Sequence, residues 1–216
     1  MKKCFLIISI VSSLCAFSKV EIVTVDSYKK VEKKILDFVD KETIVVFDID
    51  DTLLHIPNCL DVNNKIPKFA LWQIIARECE GQITEKRVKD LIDTLQSRYI
   101  STMALTARGG NIIDLTITQL DELGINFDLG EMLSIKNFDQ KMTKTKNLYF
   151  RDGVAWASGT SKGKALVYFQ KEKYSKPYKK IVFIDDNLKN IKSVNNSFKK
   201  DKETDVLLVH YTKFDH

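Results

Sequence analysis

Two aspartates, Asp48 and Asp50, follow the apolar run 43–47 (TIVVF), and Thr52 comes two residues later. Two more, Asp185 and Asp186, follow a second apolar run at 181–184 (IVFI). Side chains alternate along a strand, so residues i and i+2 share a direction and both carboxyls of Asp48-x-Asp50 can address one group. Carboxylates at the ends of two adjacent buried strands repel one another unless something balances them. A hard divalent cation with oxygen ligands, most simply Mg2+, supplies that balance. Thr106 adds a hydroxyl after the run 101–105 (STMAL), and Lys162, in Ser161-Lys162-Gly163, adds a cation.

The elements that must position these residues alternate between strand and helix. Ser27 is placed to cap a helix with Tyr28, Val31, Ile35 and Phe38 at near-helical spacing. The run 43–47 is continuously apolar, as befits a strand buried on both faces. From about 55 to 98 the pattern is helical: one helix over 68–80, then a second capped by Thr84, with Val88, Leu91, Ile92, Leu95 and Tyr99 as its stripe. A strand over 101–105 precedes a helix over 111–123, with Ile113, Ile117 and Leu120 inward and Gly124 stopping it. The segment 147–157 reads as a hairpin turning at Asp152-Gly153. Ser161 caps a helix to about 173, 181–184 is a buried strand, and Leu188, Ile191, Val194 and Phe198 mark the helix after it. A last strand spans 205–210. This alternation predicts an α/β fold, a parallel sheet covered on both faces, with its ligand site beyond the carboxyl ends of the strands.

The four strand-end signatures resemble the motifs of the haloacid dehalogenase (HAD) superfamily. Asp48-x-Asp50-x-Thr52 matches the first, Thr106 the second, Lys162 the third and Asp185-Asp186 the fourth. The stretches FDIDDTLL, LTARG, SKGKAL and FIDDNLKN are similar to an exported bacterial branch of that superfamily with no assigned function. The resemblance implies a HAD-like three-layer Rossmannoid sheet with a small helical cap inserted after the first motif strand. It also implies a Mg2+-dependent phosphatase. Asp48 would be the nucleophile that forms an aspartyl phosphate, and Asp50 the general acid and then base. Thr106 would donate to a phosphoryl oxygen, and Lys162 would neutralise the nucleophile and the phosphate. Asp48, the Asp50 main-chain carbonyl and Asp185 would hold Mg2+, with Asp186 orienting the metal's water or Lys162. Asp at position 50 distinguishes phosphatases and mutases from the superfamily's dehalogenases, which lack it, and its cation pumps, which carry Thr.

Each assignment has a plainer competitor. Asp48 and Asp50 can be turn residues, Thr106 a helix cap, and Asp186 the cap of the next helix. Lys164 competes with Lys162. Segment 158–165 (SGTSKGKA) has the outline of a phosphate-binding P-loop but carries Ser158 where Gly is needed and Ala165 where Ser or Thr is needed. Arg108 follows the second motif directly and could reach substrate or cap. His55 could serve as a cap hinge, while His210 and His216 share no metal-ligand spacing. Trp72 and Trp156 read as packing residues, and Trp72, Phe69 and Ile75 as an apolar face toward substrate or core.

The remaining features bound the setting. Residues 1–18 have a basic start, an apolar stretch and small residues before Ser18, as a signal peptide cleaved after Ser18 would. Periplasmic or secreted localisation follows, with a core over 19–54 and 99–216 and a cap over 55–98. No later stretch is apolar enough to span a membrane. Cleavage removes Lys2 and Lys3, taking the formal charge from +5 to +3, with acids interleaved and no nucleic-acid footprint. It also leaves two of the four cysteines, Cys59 and Cys79, which are either a disulfide or two free thiols. At 216 residues with 44% hydrophobic and 29% charged, the chain is neither disordered nor low-complexity. The substrate would be a phosphorylated small molecule or macromolecule. The competing class is a non-catalytic phosphate-binding or interaction module that keeps the fold.

Overall fold

The computed structural model describes residues 19–61, 67–127, 137–144, 146–174 and 176–214. The expected signal segment 1–18, and His216, lie outside them.

Thr43–Phe47 (β2), Ser101–Thr106 (β5) and Lys180–Asp185 (β9) form the middle of the sheet, and β2 and β5 are buried along their whole length. Flanking them are Val20–Val25 (β1), Phe138–Lys141 (β6), Asn147–Arg151 (β7), Val154–Trp156 (β8) and Asp205–Tyr211 (β10). The eight strands lie in the order β1-β10-β9-β2-β5-β8-β7-β6. All neighbours from β1 to β8 are parallel, and β8-β7-β6 finish the sheet as antiparallel hairpins.

Strand alternation sorts the core into two layers. Val45, Phe47, Val182, Ile184, Leu207 and Val209 face the helices Tyr28–Phe38 (α1), Lys86–Ser97 (α3) and Ile113–Glu122 (α4). Ile44, Val46, Met103, Ile181, Phe183 and Leu208 face Lys162–Tyr168 (α5) and Leu188–Phe198 (α6). The result is the expected three-layer α/β arrangement, a mostly parallel sheet between two layers of helices. Among the described residues no helix is long and apolar enough to cross a membrane.

The segment expected as a cap contains Lys68–Glu78 (α2), the short strands Leu54–His55 (β3) and Gln82–Ile83 (β4), and α3. Helix α3 buries Val88, Leu91, Ile92 and Leu95 in the same cluster as α1, so it is a wall of the sheet. Tyr99 is not in that stripe: it lies past the helix end with φ +59 and is 82% exposed. Thr84 does not cap α3. Glu85 takes the N-cap position without a side-chain cap bond, while the Thr84 hydroxyl donates to the Thr52 carbonyl at 2.7 Å. The Glu85 carboxylate instead ties α1 and β10 together, accepting from the Tyr28 N–H (3.2 Å) and the Tyr211 hydroxyl (2.7 Å). Ser27 does cap α1, accepting from the Lys29 N–H. The helix expected to reach 173 leaves α-geometry at Phe169 for a π turn, Phe169–Lys173. The hairpin turns at Asp152 and Gly153, both at positive φ (47° and 78°), as a two-residue primed turn requires. Edge strands β1 and β6 were not anticipated, because half-exposed polar alternation is a weak signal.

Candidate active site

Parallel register creates the site. Phe47 pairs with Ile184, so the next residues, Asp48 and Asp185, emerge side by side at the carboxyl ends of β2 and β9. The Asp48 N–H donates to the Ile184 carbonyl at 2.8 Å, extending the ladder one step. Both side chains are buried. Between them comes Lys162, only 1% exposed, whose ammonium contacts Asp48 Oδ1 and donates to Asp185 Oδ2 at 2.6 Å. Asp185 Oδ1 accepts from the Asn187 N–H (2.8 Å) and from Asn190 Nδ2 (3.0 Å).

Lys162 reaches the site because α5 packs closely on α6. A Cβ at Gly163 would sit 2.3 Å from the Ser193 carbonyl oxygen, so only glycine permits this approach. Lys164, two residues on, is exposed and lines a cleft of about 670 Å3 with Ala107, Gly109, Lys146, Ser158 and Thr160. The competition between the two lysines is therefore settled by position, in favour of Lys162 as the one among the carboxylates.

Asp186 completes a group of three. Asp48, Asp185 and Asp186 each offer a carboxylate oxygen, and these lie within 4.8 Å of one another. Asp186 is not a helix cap; Asn187 has that role, accepting from the Lys189 N–H. The Asp186 N–H donates to Thr52 Oγ1 (3.1 Å), and His210 Nε2 donates to its carbonyl (2.9 Å). Thr52 thus anchors the fourth motif to the first.

Three carboxylates and one ammonium leave a deficit of positive charge in a buried place. Burial, opposed by Lys162 but reinforced by Asp185, Asp186 and Asp50, holds the Asp48 carboxyl well above the usual range. Burial and the neighbouring Asp185 push Asp186 up to about 7. Burial would lower the Lys162 ammonium, but Asp185 and Asp48 outweigh it and push it up to about 12. An all-oxygen donor set with this excess negative charge fits a hard divalent cation. The converging carboxylates are Asp48, Asp185 and Asp186; the carboxylate of Asp50, of which only the main-chain carbonyl is expected at the metal, pairs with a cation instead.

Its partner is Arg108, 2% exposed. Arg108 donates from Nη2 to Asp50 Oδ1 (2.8 Å) and from Nε to Asp50 Oδ2 (3.0 Å). Its third nitrogen donates to Gln119 Oε1 (2.7 Å) and Thr116 Oγ1 (3.0 Å), both on α4. The hydroxyl of Thr106, at the end of β5, accepts from the Arg108 N–H (3.1 Å) but caps no helix, since Ile112 takes the N-cap position of α4. Gln119 and Thr116 were missed in the sequence. Their one signal is polar residues three apart on a helix that also carries Leu120 inward. Asn190 was missed too, although it sits in the same FIDDNLKN stretch as Asp185.

The other singled-out residues fall outside the carboxylate cluster. Cys59 and Cys79 are bonded, with Cα atoms 5.6 Å apart, joining the loop after β3 to the end of α2. His55 Nδ1 contacts Asp51 Oδ1 at 2.6 Å, and the ring stacks on Phe214. Trp156 is fully buried in the core. Trp72 is half-buried on α2 with its ring 5.4 Å from the Arg108 guanidinium carbon, and Ile75 is half-buried on the same helix. The side chain of Phe69 lies outside the described residues.

Solved structures with a similar outline include the class C acid phosphatase from Bacillus anthracis, 14% identical, with 87% of this chain and 75% of that chain covered and a TM-score of 0.46. Another is the HAD domain of effector protein Lem4 from Legionella pneumophila, 15% identical, with 82% and 91% covered and a TM-score of 0.46. No protein with a curated description matches the chain. Residues 60–216 match the family described as "Protein of unknown function (DUF2608)", and over that span, which holds three of the four motif regions, the chain belongs to that family.

Proposed function

We propose that this protein is an exported, Mg2+-dependent phosphomonoesterase working through an aspartyl phosphate on Asp48. The observation that carries the reading is the buried Asp48–Lys162–Asp185 cluster, to which Asp186 adds a third converging carboxylate. Mg2+ held by Asp48, Asp185 and Asp186 would neutralise phosphoryl oxygens and keep Asp48 ionised. Asp48 attacks phosphorus in line with the ester oxygen, the P–O bond breaks, and Asp50 delivers a proton to the departing alkoxide. Asp50, now a carboxylate, takes a proton from water as that water attacks phosphorus, releasing phosphate and restoring Asp48. Thr106 and Lys162 bind phosphoryl oxygens, and most of the rate arises from this preorganised positive charge.

Export is supported by the signal-like residues 1–18 and by the Cys59–Cys79 bond, since such bonds persist in oxidising compartments. The substrate is a phosphorylated small molecule or macromolecule, and the small cap segment leaves room for a large one. The test is hydrolysis of p-nitrophenyl phosphate by the chain from Lys19, with Mg2+, with EDTA, and as Asp48→Asn. Metal-dependent turnover lost in the variant supports the reading. Absence of turnover under all conditions refutes it and leaves a phosphate-binding module.

A further inference from the structure

We infer that Arg108 is a positioning residue that ties the acid–base carboxylate Asp50 to helix α2, so that the seating of this helix sets the geometry of proton transfer. The inference rests on the proposed role of Asp50 and goes beyond it. The geometry is a continuous hydrogen-bonded chain running from the half-buried Asp50 through the buried Arg108 and Gln119. Asp50 takes two guanidinium N–H bonds from Arg108, a planar fork that fixes the carboxylate's orientation as well as its place. The same guanidinium is held by Gln119 Oε1, and Gln119 Nε2 donates onward to the Ala76 carbonyl of α2 at 2.8 Å. A second link from the same helix is the Trp72 ring near the Arg108 guanidinium. Ala76 is one turn before Cys79, so the disulfide braces the part of α2 that grips Gln119.

A buried guanidinium must keep its partners. If α2 moves, Gln119 loses the Ala76 carbonyl and Arg108 loses the ring. The Arg108 fork then has freedom to turn, and Asp50 turns with it. Each Asp50 oxygen has a second lone pair beyond the one Arg108 uses, so the carboxyl can still exchange a proton with substrate while held.

The test separates positioning from general damage by leaving group. For an alkyl phosphate, loss of the alcohol needs a proton from Asp50; for p-nitrophenyl phosphate the phenolate departs unaided. The ratio kcat/KM reports only steps up to loss of the alcohol. Gln119→Leu and Trp72→Leu should lower kcat/KM on butyl phosphate about tenfold, and Arg108→Lys about a hundredfold, within the range of acid–base catalysis. In the first two variants kcat/KM on p-nitrophenyl phosphate should stay within about twofold of wild type. In all three, kcat on that substrate should fall behind a burst of one phenolate per site, because Asp50 still has to activate water. A parallel fall of kcat/KM on both substrates, or none on butyl phosphate, overturns the inference. A double-mutant cycle between Asp50→Asn and Trp72→Leu, read on unfolding midpoints, decides it without turnover. Non-additive shifts support the linkage and additive shifts refute it. Wild type inactive on both substrates refutes the phosphatase reading alone.

Discussion

Replacing Asp186 with asparagine should stabilise the metal-free protein above neutral pH while weakening its response to Mg2+. Burial and Asp185 raise the Asp186 carboxyl from 3.8 to about 7 in the folded chain. Unfolded, it titrates near 3.9. The folded state therefore holds a proton that the unfolded state has lost across roughly pH 4 to 7. Stability falls as pH rises through that window, and the full cost is present above about pH 7. At about 1.4 kcal/mol per pKa unit the ceiling is ~4 kcal/mol; sharing the charge with Asp48 and partial contact with water bring it to ~2–3 kcal/mol. Asparagine keeps the shape and removes the charge. In EDTA at pH 8, Asp186→Asn should unfold at a denaturant concentration corresponding to ~2–3 kcal/mol more stability, or about 5–10 °C in Tm, whereas at pH 4 the two proteins should match. Mg2+ should narrow the gap, since at 100 times Kd a ligand adds about 2.7 kcal/mol and the variant, binding more weakly, gains less. A metal-free wild type equally stable at pH 5 and pH 8, or an unchanged variant at pH 8, would refute the claim that uncompensated charge is concentrated here.

Three further outcomes are expected. Lys162→Met removes the one ammonium between Asp48 and Asp185, so it should cost about 3–5 kcal/mol without metal and abolish phosphatase activity; urea unfolding and p-nitrophenyl phosphate turnover measure both. Gly163→Ala should destabilise by about 1–3 kcal/mol and lower activity, because its Cβ would push α5 off the Ser193 carbonyl and carry Lys162 away; thermal unfolding would show it. Cys59→Ser with Cys79→Ser opens a 20-residue loop, with a loss near 3 kcal/mol in the chain-entropy model; unchanged denaturant midpoints would show that the bond braces nothing.

Much of the site is legible in the sequence. Asp48 and Asp185 were found because continuous apolar runs mark buried strands, and polar residues after such runs stand at the carboxyl edge of a parallel sheet. Hydrophobic spacing likewise located α1, α3, α4 and α6, since a helix face is written in residues three and four apart. Thr84 was misjudged as a cap because the pattern shows a suitable residue near a helix start but not which neighbour adopts the cap geometry.

What the tertiary structure decided are pairings between residues far apart in the chain. Lys162 and Lys164 have the same chemistry, yet two residues turn a helix by about 200°, so only the packing of α5 on α6 shows which one enters the cluster. Arg108 stands 58 residues from Asp50, and Gln119 stands 43 from Ala76. No local periodicity encodes such distances. The same holds for Cys59 and Cys79, whose bond required their Cα atoms to come within reach. The sequence by itself determined that acids, a hydroxyl and an ammonium would gather at the strand ends. The fold determined that three carboxylates converge there, while the fourth, Asp50, is held by an arginine that answers to α2.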